Sequence, residues 1–239
     1  MNLYSLSQFQ EGMILPFNKP LTWTSTDLVR KVKNMIHRSF REKRDDRNIK
    51  LKVGHAGTLD PLATGMLIIC TGKATKQIQY IQDMPKEYIA QVTFGKTTPS
   101  FDLETKPEGS FATDHLNDEE ITHALDSFMG EIDQMPPIYS AKNINGKRAY
   151  EYARKGEEAE MKTNKVTIHE LELLHFEDLV ATLRVKCSKG TYIRSLAYDL
   201  GKTLKSGAHL SGLIRTCIGD YTIDKALTIE DFEKKLASL

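Results

Sequence analysis

An α+β fold, with a mixed, largely antiparallel central sheet flanked by helices and loops, is what the sequence predicts. Three observations carry that expectation. Apolar and polar residues alternate through Tyr88-Ala90-Val92-Phe94 and through Leu179-Ala181-Leu183-Val185-Cys187, the two-residue period of half-buried strands. Leu28, Val32, Met35 and Ile36, and again Ile121, Ala124, Leu125 and Phe128, recur at helical spacing. The two kinds of segment intermingle without a regular strand–helix–strand beat, which argues against a doubly wound parallel sheet. A chain of 239 residues without repeats or low-complexity linkers reads as one catalytic body spanning 1–239.

The elements follow in order. Gly12 to Phe17 reads as a short strand closed by the Asn18-Lys19-Pro20 turn. Thr24, Ser25 and Thr26 offer caps to the first amphipathic helix. Arg38 to Lys52 reads as a polar, basic loop, and Gly54 to Gly65 as a loop punctuated by Gly and Pro. Met66 to Cys70 is a buried strand, and Gly72 to Asp83 reads as helical with Ala74, Ile78 and Ile81 on one side. The Tyr88 strand comes next. Asn117 and Asp118 cap the second amphipathic helix, which Gly130 ends, and Pro136-Pro137 forbids helix beyond it. Lys147 to Lys155 reads as helix, Lys165 to Phe176 and Leu179 to Ser188 as a strand pair, and Tyr192 to Leu204 as helix. Thr228 with Asp231 makes a capping box for the last helix.

Composition excludes several classes. Hydrophobic residues are 40% and charged residues 27% of the chain, as in ordinary globular proteins. The longest apolar run, Met66 to Cys70, falls far short of the roughly 20 residues a bilayer demands, so no membrane association is expected. The start of the chain has no secretory pattern, and Cys70, Cys187 and Cys217 show no C-x-x-C spacing, which points to a reducing cytoplasm. Net charge is +1, yet it is locally segregated. Asp27 to Lys52 and Arg184 to Arg215 each carry +6, Lys142 to Lys155 carries +4, and Phe101 to Asp133 carries −9. Basic segments that converge would attract a polyanion despite the neutral total.

Several chemistries are absent from the pattern. Gly72-Lys73-Ala74-Thr75 echoes a phosphate loop, but six residues separate Gly65 from Gly72, and Ala74 follows the lysine where Ser or Thr is required. The seven histidines show no metal-ligand spacing, so no metal and no cofactor are expected. What stands out is Gly54-His55-Ala56-Gly57-Thr58-Leu59-Asp60-Pro61-Leu62-Ala63-Thr64-Gly65. Its glycines permit sharp turns and close approach to a ligand around one histidine and one carboxylate. An isolated Asp-Pro would be a simple turn. Two further constellations accompany it. Ser188-Lys189-Gly190-Thr191-Tyr192-Ile193-Arg194 sets an arginine and a tyrosine at a strand-to-helix junction. Tyr139-Ser140-Ala141-Lys142, followed by Gly146-Lys147, Tyr150 and Arg154, interleaves aromatic and basic residues as RNA-contacting segments do.

In order and spacing these three motifs, with Gly72-Lys73-Ala74-Thr75-Lys76, resemble the TruB family of tRNA pseudouridine synthases from about Gly12 to Gly219. Thr58 stands where other pseudouridine synthase families carry an arginine, which is the TruB pattern. The resemblance implies the pseudouridine synthase fold. It implies isomerisation of uridine to pseudouridine at position 55 of the tRNA T-loop, with base flipping and without a cofactor. By the same resemblance Asp60 is the catalytic carboxylate, acting on the sugar C1′ or on the uracil ring, and Arg194 is its guanidinium partner. Tyr88 stacks on the flipped uracil and assists proton removal from C5, and Tyr192 lines the pocket. His55 fills the space that the target nucleotide leaves. Lys76, Lys142 and Arg215 are expected RNA contacts.

The chain departs from the family pattern in places. The Asp-Lys-Pro-x-Gly opening appears as Asn18-Lys19-Pro20-Leu21-Thr22, and a terminal Arg-Arg pair is reduced to Ile214-Arg215. Thr-Asp-Thr becomes Thr97-Thr98-Pro99, with Asp102 matching a later acid, and no C-terminal RNA-binding (PUA) domain is expected before Leu239. The expected partner is the tRNA T-arm, met by a monomer. A guide-dependent ribosomal RNA synthase, or a non-catalytic RNA-binding or tRNA-folding module, are the alternatives.

Overall fold

The computed structural model describes residues 5–41, 50–140, 142–144, 146–155, 157 and 161–237. In chain order the first elements are α1 (Leu6–Glu11), β1 (Ile14–Lys19), α2 (Ser25–Arg41), β2 (Val53–Ala56) and β3 (Ala63–Thr71). A 3-10 helix (Gly72–Gln77) leads into α3 (Ile78–Asp83). Then come β4 (Lys86–Phe94), α4 (Asp118–Asp126), β5 (Gly130–Gln134), β6 (Asn143–Ile144), β7 (Lys147–Arg148) and α5 (Ala149–Lys155). The chain continues with β8 (Asn164–Glu177), β9 (Val180–Cys187), α6 (Ile193–Thr203) and β10 (Ala208–Ile218). It ends with β11 (Tyr221–Thr222), a 3-10 turn at Ile223–Lys225 and α7 (Ile229–Ala237). Two compact units emerge, one of residues 1–86 and 214–239, the other of 87–213.

In the first unit β3 is the central strand. β1 pairs with it antiparallel from Ile14↔Cys70 to Lys19↔Gly65, and β2 from Val53↔Thr71 to Ala56↔Ile68. The last residues of β10 also lie beside β3. Each face of β3 is buried in a different apolar cluster. Leu67 and Ile69 join Phe17, Leu28, Val32, Ile36 and Phe232 on one side, and Met66, Ile68 and Cys70 join Ala74, Ile81 and Ile218 on the other. Burial on both faces explains why this strand reads as an apolar run instead of an alternation. α2 lays Leu28, Val32, Ile36 and Phe40 onto the first cluster at four-residue intervals. Its start is a capping box: Thr24 Oγ1 accepts from the Asp27 N–H at 3.0 Å, and Asp27 Oδ2 accepts from the Thr24 N–H at 3.0 Å. The Thr24 hydroxyl, which donates to Asp27 Oδ2 at 2.6 Å, and then the Thr24 N–H hold the Asp27 carboxyl below its ordinary pKa.

In the second unit the strand order is β10-β4-β9-β8-β5. β8 and β9 form a long antiparallel hairpin, and β5 pairs antiparallel with the start of β8. The hairpin turns at Asp178 and Leu179, both with positive φ (50° and 62°), the geometry that suits the right-handed twist of two-residue turns. α4 packs on β8 and on α6. The expected α+β class with a mixed, largely antiparallel sheet holds. The paired registers are antiparallel, joined by isolated parallel bridges such as Asp102↔Leu210. No helix among the described residues is long and apolar enough to cross a membrane.

The structure corrects several boundaries. α2 continues through Arg41, so the start of the expected loop 38–52 is helical, while 42–49 lie outside the described residues. Leu179 is 38% exposed, because it sits in the turn and not on the buried face of β9. Gly72–Asp83 begins as 3-10 helix, and Lys147–Arg148 is strand before the helix opens at Ala149. β2 overlaps the start, and β3 the end, of the segment Gly54–Gly65 read as loop. α1, not foreseen, is a six-residue helix held by a Ser5–Gln8 capping box and by burial of Phe9.

Phe232 of α7 packs edge-on against Phe17 (5.3 Å between centroids) and Phe9 (6.3 Å) at the centre of the first cluster. Phe232→Ala is expected to lower the unfolding free energy by about 3–5 kcal/mol through lost burial and the cavity left behind. Urea titration checks it, and a loss below about 1 kcal/mol would mean that the site collapses around the missing ring.

Candidate active site

The motif loop runs from the end of β2 to the start of β3, so two antiparallel neighbours fix both of its ends. Between them the main chain is held carbonyl by carbonyl. Arg215, 1% exposed, donates from Nη2 to the Gly57 carbonyl at 3.1 Å and from Nη1 to the Thr58 carbonyl at 3.2 Å. Its Nε donates to Met66 O at 2.7 Å, beyond the loop. Ser25 Oγ accepts from the Leu59 N–H at 2.9 Å and donates to the Leu59 carbonyl at 3.1 Å. The Ala63 N–H donates to Asp60 O at 3.1 Å, and the Thr22 N–H to Pro61 O at 2.8 Å. Gly65 has φ of +103°, and a Cβ there would run into the main chain of Arg215. That glycine therefore permits two strands to approach, which is a packing demand and not a ligand's.

Electrostatics centre on the same loop. Lys19 ends β1 at 0% exposure and donates from Nζ to Trp23 O at 2.7 Å and Pro20 O at 2.9 Å. Burial pushes its pKa down to about 8; Asp60 opposes that shift, and the positive charge of Arg215 adds to it. His55, on β2, is held below its ordinary pKa by burial first and by Arg215 second, so it is neutral at pH 7. Its Nδ1 is buried without a hydrogen-bond partner. Asp60 itself is partly exposed, while Lys76 stands exposed in the last turn of the 3-10 helix.

The second unit carries the other expected residues. Tyr192 caps α6, and Gln134 brackets its main chain: Oε1 accepts from the Tyr192 N–H at 2.8 Å and Nε2 donates to the Tyr192 carbonyl at 3.1 Å. Arg194, 4% exposed in the first turn of α6, donates from Nη1 to Tyr139 O at 2.8 Å and to Ser100 O at 3.4 Å. Its Nε lies 3.6 Å from Asp102 Oδ2, a buried ion pair. Tyr88 is on the buried face of β4. Lys142 spends two of its three donors, on Lys162 O at 2.7 Å and Asn164 Oδ1 at 2.8 Å. Asn164 pairs with Gln134 across β8 and β5, so Lys142, Asn164, Gln134 and Tyr192 form one connected set.

The structure thus joins His55, Asp60 and Arg215 around one loop, and Tyr192 and Arg194 at one helix start. Arg215, expected to contact RNA, lies buried here. A guanidinium that is buried and gives three donors to main-chain carbonyls supports the loop and presents no surface charge. Sequence reasoning passed over Lys19, Ser25 and Gln134. Lys19 had a legible signal: it follows Leu15 and Phe17 on the buried face of an alternating strand, where a lysine is anomalous. Ser25 had none, since it reads as one of three possible caps.

Similarity to known proteins agrees with this architecture. Residues 44–193 match the model for "TruB family pseudouridylate synthase (N terminal domain)", and residues 194–238 match "tRNA pseudouridylate synthase B C-terminal domain". The chain belongs to the TruB family. It is accordingly an enzyme of the pseudouridine synthase class, as the motifs led one to expect. It is 53% identical over 225 residues to tRNA pseudouridine synthase B of Parabacteroides distasonis, covering 94% of this chain and 93% of the relative. It is 51% identical over 228 residues to the protein of that name from Phocaeicola vulgatus, covering 95% and 94%. Among solved structures it resembles a chain of a Cbf5-Nop10-Gar1 complex, with TM-score 0.69 and 26% identity. That alignment covers 97% of this chain but 56% of the other, so the present chain spans little more than half of that protein.

The TruB resemblance also explains a strained residue. Thr22 has φ of +69°, in the left-handed region, at the position where the family pattern carries glycine. A β-branched side chain there costs about 1–2 kcal/mol. Thr22→Gly is therefore expected to raise stability by about 1 kcal/mol despite glycine's greater unfolded entropy, measured by urea titration. A loss of stability would contradict the strain. Lys19 makes a pH prediction. Its folded pKa of about 8 lies below the ordinary 10.5, so between those values the unfolded chain holds a proton that the folded chain has released. Stability relative to Lys19→Met should then rise with pH across that window, by up to about 1.4 kcal/mol per pH unit. A flat difference between pH 7 and 10 would show the ammonium to be unperturbed.

Proposed function

We propose that this protein isomerises uridine to pseudouridine at position 55 in the T-loop of tRNA, with Asp60 as the reacting carboxylate. The reading rests on one observation. The two relatives named tRNA pseudouridine synthase B match the chain at 51–53% identity over nearly its whole length, while the Asp60, Tyr88, Tyr192 and Arg194 motifs stand intact. A guide-dependent role has less support, since the resemblance to the Cbf5 complex is 26% identical and spans about half of that chain.

The reaction breaks the N1–C1′ glycosidic bond, turns the detached uracil and joins C5 to C1′, and the proton lost from C5 is balanced by one gained at N1. It is redox-neutral. Asp60 attacks C1′ or the uracil ring. Its aim comes from a loop whose main chain is tied down on both sides. Arg194 is, by the family resemblance, the guanidinium partner of the catalytic carboxylate, and its own orientation is set by Asp102 and the Tyr139 carbonyl. Tyr88 stacks on the uracil and assists loss of the C5 proton. Tyr192 lines the base pocket from the cap of α6, held by Gln134. His55, uncharged at pH 7, takes the volume vacated in the T-loop when the target base leaves the stack, at a cost of a few kcal/mol that the fit offsets. Lys76 meets backbone phosphate, and Lys142 steadies the Tyr139 segment while its remaining donor faces RNA. A monomer acting in the cytoplasm completes the reading.

Incubation with tRNA transcript tritiated at uridine C5 tests it. Wild type is expected to release about one tritium per tRNA and Asp60→Ala none. Binding without release would overturn the assignment. Arg194→Lys should bind tRNA normally yet lose at least about 100-fold in turnover, because an ammonium cannot reproduce the forked geometry. Near-normal turnover at saturating tRNA would exclude the guanidinium from the chemistry.

A further inference from the structure

We infer that Ser25 and Arg215 are positioning residues, which hold Asp60 through the main chain of Gly57, Thr58 and Leu59. The inference rests on Asp60 being the reacting carboxylate. Ser25 is 3% exposed, and its single hydroxyl engages both polar groups of Leu59, the residue immediately before Asp60. Arg215 takes the two carbonyls before that and reaches over the loop to Met66, so one planar group ties both ends together. With the donors from Ala63 and Thr22, every carbonyl from Gly57 to Pro61 has a named partner. Neither side chain is exposed enough to meet an RNA, so their contribution has to pass through the loop.

The physical need is plain. Pro61 stiffens one step, but Gly57 leaves the loop free to sample many backbone states in the absence of ties. A carboxylate displaced by about 1 Å from its attacking position can lose roughly 100-fold in rate. The two ties are not interchangeable. Lysine at 215 keeps the charge but cannot direct three donors at three diverging carbonyls. Threonine at 25 keeps the hydroxyl, whereas alanine removes it.

The test uses Ser25→Ala, Ser25→Thr and Arg215→Lys in the full chain, with three readouts. These are the single-turnover rate of tritium release at saturating tRNA, tRNA affinity, and hydrogen exchange of the Leu59 amide without RNA. Ser25→Ala should slow release at least tenfold, leave affinity within about twofold, and speed Leu59 exchange at least tenfold in a protein that still melts cooperatively. Ser25→Thr should recover most of the rate, and Arg215→Lys should slow release with affinity preserved. Wild-type rates in Ser25→Ala and Arg215→Lys overturn the inference. So do rates that fall only in proportion to affinity, or an unchanged Leu59 amide. Failure of the wild type to release tritium would instead strike at the function itself, while the exchange measurement still reports the tie.

Discussion

A guanidinium withdrawn from water has to find acceptors, and Arg215 finds three carbonyls on either side of one loop. Desolvating such a charge is expensive, so the contact persists only where the acceptors are fixed in advance. They are fixed because β3 is buried on both faces and cannot shift without exposing two apolar clusters. Much of the first unit follows from that requirement. Gly65 is glycine so that the Arg215 strand can come close, and His55 and Lys19 are both depressed by burial first, with the same positive charge adding to it.

The second unit solves a similar problem with different means. Arg194 also carries its charge into a buried place, but it has a carboxylate, Asp102, as well as carbonyls to receive it. A buried ion pair of this kind fixes orientation more than it stabilises. Around it the backbone is ordered by side-chain amides and hydroxyls. Gln134 grips both polar groups of Tyr192, and Ser195 donates to Met135 O at 2.6 Å. Each unit therefore holds its candidate site residue on a segment whose main-chain polar groups are engaged by buried side chains. That leaves few alternative conformations at the point where chemistry needs a defined geometry.

Legibility in the sequence tracked how local each cause was. The amphipathic helices, the hairpin of β8 and β9, the alternating β4 and the Thr228–Asp231 box were visible because periodicity and caps act within a few residues. α1 and β2 were not, since one is a single capped turn and the other a four-residue strand that exists only by pairing with β3. The end of α2 ran past its expected limit because polar basic residues, which read as loop, are good helix formers once an apolar face anchors the helix. In the candidate site, the loop with Asp60 and the junction with Arg194 were legible as motifs. Ser25 and Gln134 were not, because a serine among possible caps and a glutamine in a strand carry no signal until their partners, 34 and 58 residues away, are known.

By itself the sequence determined the family and the α+β class, and it singled out the motifs on which the proposed chemistry is placed. Those depend on residue identity at given spacings. The tertiary structure decided what each cation does. Arg215 and Lys76 look alike along the chain, yet one is sealed beneath a loop and the other stands in solvent. The difference arises from long-range packing: whether a charge meets water or carbonyls depends on contacts that span 149 residues of sequence. Periodicity has no access to a separation of that length. Only the folded chain could turn Arg215 from a surface contact into the tie that shapes the Asp60 loop.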